Sequence, residues 1–226
     1  MQPPVDEAGV CKHCGKTFLR SYHPSGNTIG ARFFTDGRIV GPMYPFHDEP
    51  MFARCPHCGG LFWIEEQKAA PSSWKIRNLL KDIPRCLPIE EISDMFVFLN
   101  SGEAADKKRE FPVRKRIWWK YNDRIRLNFN SPAAKPWSSS DFDGIVTKSR
   151  EDYELWQNNL VRLMRLVEKI KPEEPEYLLI AEINRNLGNF ELAAAILEKH
   201  ASDEYDAARK SILEGCKQRD RYVRML

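Results

Sequence analysis

The residues best equipped for chemistry are four cysteines in two pairs, Cys11-Lys12-His13-Cys14-Gly15 and Cys55-Pro56-His57-Cys58-Gly59. Two residues between cysteines let one tight turn aim both sulfurs at the same ion, and the glycine after each pair relieves the steric cost where the chain curls. Four thiolates complete a tetrahedral shell, which suits a structural rather than a catalytic ion. We therefore expect Cys11, Cys14, Cys55 and Cys58 to hold one Zn2+, with iron the less favoured occupant. Since the cysteines already supply four ligands, His13 and His57 read as exposed turn residues. Cys86 and Cys216 stand alone and read as buried structural thiols.

A second constellation spans residues 107–126 (KKREFPVRKRIWWKYNDRIR), with nine basic residues against two acidic ones. Arg114, Lys115, Arg116, Lys120 and Arg124 could neutralise phosphates while Trp118 and Trp119 stack on unpaired bases. The competing reading puts Ile117, Tyr121 and Ile125 on one helix face, makes the tryptophans core anchors, and leaves the arginines solvated or paired with acids such as Glu90, Glu91 and Asp94. The direction in which Trp118 and Trp119 point separates the two. No phosphate-cradling glycine loop, His-Glu-x-x-His pattern or glycine-flanked nucleophile is present in the sequence, so no enzyme is expected. Pro45-Phe46-His47-Asp48-Glu49-Pro50 places a histidine beside two carboxylates, but adjacent residues in a proline-bounded loop seldom converge on one reacting atom, and a polar turn is expected.

The elements that must position these groups change character along the chain. Residues 8–66 read as strands and turns. Thr35-Asp36-Gly37 is a hairpin signal between apolar runs at 28–34 and 38–40, and Leu61 to Ile64 is a further strand. Residues 65–73 lose apolar character and mark a boundary. Beyond it the spacing turns helical: Ile89, Ile92, Phe96 and Leu99; then a helix over 113–128 following Pro112; then a loop over 131–148. Ser149 caps the clearest helix, with Asp152 as the capping-box partner and Tyr153, Trp156, Leu160, Leu163, Val167 and Ile170 on one face, ending at Lys171-Pro172. Helices are expected over 174–187, 190–199 and 203–222, the last capped by Ser202.

The knuckles resemble those of zinc ribbons and of rubredoxins, which carry a Cys-Pro-x-Cys-Gly turn around iron. Residues 174–207 resemble one tetratricopeptide repeat: Tyr177, Ile180, Ala181 and Asn184 fall at the family's packing positions, Gly188-Asn189-Phe190 at its turn, and Ala193 at its small-residue position. His200 stands where the family has alanine, and the closing proline is absent. The resemblance implies neighbouring degenerate repeats, since about three are needed to bury a continuous core. It also implies a scaffold for protein partners. The order of the two parts resembles that of several uncharacterised bacterial proteins, and brings no activity with it.

The 35 Lys and Arg nearly balance the 32 Asp and Glu, so overall charge selects no partner class. No apolar run approaches the ~20 residues needed to span a bilayer. Residues 1–9 lack the basic start and apolar stretch of a secretory leader, and paired cysteines fit the reducing cytoplasm. The expectation is an α+β chain, with a metal-bound β module over 1–66 and an α-helical, repeat-like domain over 67–226. Its expected role is that of an interaction or adaptor protein with a protein partner and no membrane. Nucleic-acid binding through residues 107–126 and the ribbon is the alternative.

Overall fold

The computed structural model describes residues 2–68, 82–126, 146–170, 176–200 and 205–226. It is α+β, with short antiparallel strands followed by six helices among the described residues. Two compact units divide it: residues 1–31 with 40–105, and residues 32–39 with 106–226.

The first unit is built on two hairpins. β1 (Val5–Val10) pairs antiparallel with β2 (Thr17–Tyr22), matching Val10 to Thr17 and Gly9 to Phe18. β5 (Phe52–Arg54) pairs with β6 (Leu61–Trp63), matching Arg54 to Leu61 and Ala53 to Phe62. Every one of these partners in the second hairpin lies 44 residues after its counterpart in the first, so the unit carries the same hairpin twice. Phe18 and Phe62, equivalent under that offset, meet with ring centroids 4.9 Å apart and form the core with Ala53, Cys11, Cys55 and Cys86. Burying each ring is worth about 1.5–3 kcal/mol. β7 (Leu87–Pro88) adds to the free side of β5.

The boundary expected at residue 66 falls inside this unit. α1 (Ile92–Asn100) belongs to it because Phe98 stacks on Phe52 at 4.6 Å and meets Trp63 at 5.4 Å, while the Trp63 indole N–H donates to the Glu103 carbonyl at 2.9 Å. The buried face of α1 is Met95 and Phe98 rather than the expected Phe96 and Leu99, which are only partly covered.

In the second unit, α2 (Lys107–Arg126) starts six residues earlier than expected. Asp106 caps it by accepting from the Arg109 amide at 3.0 Å, and Pro112 sits inside the helix, where it forgoes one backbone bond. α3 (Arg150–Ile170) starts at the expected Ser149 cap, whose hydroxyl accepts from the Asp152 amide at 3.2 Å. Trp156, Leu160, Leu163 and Val167 are buried as expected. Asp152 does not close a capping box on Ser149; its carboxylate takes the Lys148 amide and Arg124 instead. α4 (Glu176–Leu187), α5 (Phe190–Lys199) and α6 (Asp206–Lys217) pack around Ala181, Phe190, Ala193, Leu197, Ile212 and Cys216. α6 ends five residues short of the expected 222. There Arg219 takes a left-handed turn (φ 52°), and its amide and that of Asp220 cap Cys216 and Gly215. The final residues then run back alongside β3 (Arg32–Phe33), with Leu226 donating to the Phe33 carbonyl and Thr35 to that of Arg224. On its other side β3 pairs with β4 (Ile39–Val40).

The turn between β3 and β4 is not a solvated one. Thr35 and Asp36 are buried in the second unit. Asp36 receives the Asn122 amide at 2.7 Å and the Arg126 guanidinium, and its carbonyl receives the Trp119 indole N–H at 3.0 Å. Thr35 donates to Glu182 at 2.6 Å, and Glu182 pairs with the fully buried Arg185. The loop expected over 131–148 lies largely outside the described residues, as do Lys171-Pro172 and Ser202.

Candidate metal centre

The two duplicated hairpins each turn through a cysteine pair, and the turns repeat bond for bond. The Gly15 amide donates to the Cys11 carbonyl at 2.8 Å, and the Gly59 amide to the Cys55 carbonyl at 3.0 Å. Both glycines adopt left-handed φ (70° and 72°), a conformation costly for any other residue and the reason glycine follows each pair. The amides of His13 and His57 point at the sulfurs of Cys11 and Cys55, each at 3.4 Å.

These turns face one another and bring the four sulfurs within 4.8 Å of one another. Cys11 lies 3.9 Å from Cys58 and Cys14 lies 3.8 Å from Cys55. A disulfide would need about 2.05 Å. A tetrahedral thiolate shell with metal–sulfur bonds of about 2.3 Å has edges of about 3.8 Å, so the donor set fits a metal ion. Cys11 and Cys55 are buried, Cys14 is half-buried and Cys58 is exposed, so the centre has one face toward solvent.

The electrostatics argue for a cation. Burial opposes charge on Cys55, yet the His57 and Cys58 amides and neighbouring sulfurs hold its thiol down at about 7. At Cys58 the Gly60 amide favours the thiolate, but slight desolvation together with the three other sulfurs prevails and pushes it up to about 12. Four sulfurs this close cannot all ionise on their own, and a divalent ion removes that repulsion. His13 and His57 lie outside the ligand set, with their Nε2 atoms on backbone carbonyls. Cys86 and Cys216 are both buried, and burial pushes both thiols up.

The basic aromatic segment takes the inward arrangement. Trp118 is 0% exposed and its indole N–H donates to Asn186 at 2.7 Å; Trp119 is 7% exposed. Neither ring offers a face to a base. Arg116 is buried as well. Arg114 pairs with Glu110 at 2.7 Å, and Arg124 with Asp152 at 2.8 Å while covering the Tyr121 ring. Lys115 lies over the Trp119 ring at 4.9 Å, and Lys120 is half-buried. Burial, and then the hydrogen bond to Asp152, raise the Tyr121 phenol well above its ordinary value. Of the acids offered from sequence as partners, Asp94 pairs with Arg54.

In the loop at 45–50, Glu49 accepts from the His23 imidazole at 2.9 Å, whereas His47 packs edge-on to Tyr44. A cleft of about 310 Å³ beside it is lined by Arg20, Ser21, His23, Glu49 and Arg85. Ser21 donates to Asp6 at 2.5 Å, and Arg85 holds both oxygens of Asp6, so this hydroxyl is committed to a carboxylate rather than to a general base. No helix among the described residues is long and apolar enough to cross a membrane. No family model, curated protein or solved structure matches this chain.

The ligands were readable from sequence because their spacing is local. What sequence reading missed is the 44-residue offset relating Cys11 to Cys55, His13 to His57, Gly15 to Gly59 and Phe18 to Phe62. That offset pairs the two histidines as equivalents and was visible as a repeated Cys-x-His-Cys-Gly.

Proposed function

We propose that this chain is a zinc-binding interaction protein, its metal fixing the first unit and its helices offering a scaffold to a protein partner. The burial of Trp118 carries the choice of partner class. A base-stacking surface needs that ring outward, whereas here it anchors the helical core. Zinc is favoured over iron because a thiolate tetrahedron accepts it with no redox requirement. The lengths of α4 and α5 and the close approach at buried Ala193 support the tetratricopeptide-like reading.

Elemental analysis of the purified chain should find one zinc per molecule. Cys55→Ser should lose both the metal and the β-sheet circular dichroism of the first unit. Labelled single-stranded RNA and DNA should show no salt-sensitive anisotropy change, and cross-linking in cell extract should capture a protein that Leu192→Glu, on the exposed side of α5, releases. Micromolar RNA or DNA binding that falls steeply with salt and vanishes in Lys107→Glu/Lys108→Glu would transfer the reading to nucleic acid. Those two lysines are exposed, whereas reversing the buried Arg116 would damage the core.

A further inference from the structure

We propose that His13 and His57 form a reciprocal clasp that locks the two cysteine hairpins face to face and sets how slowly the metal is released, an inference that rests on the metal reading above. The Nε2 of His13 lies 2.7 Å from the carbonyl of Leu61, and the Nε2 of His57 lies 2.9 Å from that of Thr17. Each acceptor is the first residue of the strand leaving the opposite cysteine pair, three residues past its second cysteine. A carbonyl only accepts, so Nε2 carries the hydrogen in both imidazoles. The same two residues direct their backbone amides at the sulfurs of Cys11 and Cys55. One residue thus ties the first sulfur of its own pair to the backbone of the other hairpin, and the duplication supplies that tie twice. For a hairpin to carry both its sulfurs off the metal it must separate from its mate, and both clasps resist that movement.

The first clasp is packed as well as bonded. A Cβ on Gly60 would come within 2.6 Å of the His13 ring, so only glycine leaves room for the imidazole to lie across the opposite turn. The equivalent of Gly60 in the first hairpin is Lys16, so no glycine makes the same room beneath His57. Glu103, paired with Lys12, sits 4.0 Å from the His13 Nε2. These are positioning residues: they touch no metal in the ligand set, and they fix the groups that do.

The test follows zinc release from the full chain into a chromophoric chelator. His13→Phe/His57→Phe should still bind one zinc but hold it about 10–100-fold less well, the range for lost outer-shell partners of a metal ligand. His13→Gln/His57→Gln, which restores an N–H of similar reach, should recover most of that loss. Gly60→Ala, whose Cβ would press into the His13 ring at 2.6 Å and lie 3.3 Å from the Cys58 sulfur, leaves the second clasp intact and should give part of it. Release from the Phe pair at the wild-type rate overturns the clasp, as does a Gln pair that releases zinc as fast as the Phe pair. If the Phe pair does not fold, Gly60→Ala decides, and wild-type release from it overturns the proposal. A wild-type chain that takes up no zinc overturns the metal reading itself, and the clasp with it.

Discussion

Glu110 shows how single residues in the basic segment are spent. Its carboxylate takes two bonds from Arg162, both 2.8 Å, and one from Arg114 at 2.7 Å. The bonds from Arg162 outweigh burial and, with Arg114, hold its pKa below the ordinary value. A carboxyl with a depressed folded pKa contributes stability that is fully present above the unfolded value of about 4.3 and is lost as pH falls through the folded one. Glu110→Gln should therefore cost about 1–3 kcal/mol at neutral pH, and the gap to wild type should close on acidification. Urea titrations of the helical signal at several pH values would read it; a gap independent of pH would mean that Glu110 matters only for its shape. Basic residues here are abundant in sequence, but their pairing was illegible there, because Arg162 lies 52 positions from its partner.

At the level of elements, what could be read was whatever repeats locally. The α3 stripe and the bounds of α5 came from spacing and from a turn glycine. The helix expected over 174–187 is there as α4, but the burial of every residue from 181 to 186, Glu182 and Arg185 among them, was not legible. Sequence assigns such charges to a surface; only remote acceptors, the carbonyls of Asp220 and Tyr222 and the Thr35 hydroxyl, make burial tolerable. The end of α6 escaped notice for a related reason, since Arg219 in a left-handed turn carries no residue-type signal. Arg185 reaches its acceptors only because α6 has a glycine where they cross: a Cβ on Gly215 would lie 2.9 Å from Nη1 and 3.1 Å from Cδ. An exposed arginine would move aside, but this one is held by several partners. Gly215→Ala should cost about 1–3 kcal/mol by overpacking despite the better helix propensity of alanine, read as a lowered urea midpoint. An unchanged or raised midpoint would mean that the Arg185 network is loose.

For the molecule as a whole, the α+β class followed from composition and period, whereas the path of the chain did not. Thr35-Asp36-Gly37 reads as an ordinary hairpin turn. Its assignment to the helical unit depends on Asp36 meeting Arg126 and Asn122, some 90 residues away, which no local pattern announces. A fragment starting at residue 106 should consequently lack a fixed core, since it leaves Arg126 and the Glu182–Arg185 pair without Asp36 and Thr35. It is expected to keep helical far-UV dichroism while losing near-UV signal and cooperative melting. Sharp melting of that fragment would show the hairpin to be dispensable.

The same eight residues bear on how such a chain can be inherited. Residues 32–39 fold with the helices but are flanked on both sides by sequence of the unit that carries the four cysteines. A single crossover between genes can exchange a terminal cassette, yet here it would carry away or orphan the hairpin. Transplanting either unit intact requires junctions at 31/32, 39/40 and 105/106 together. No single exchange therefore moves either unit whole, and one that keeps the hairpin with its helices has to cut the first unit as well.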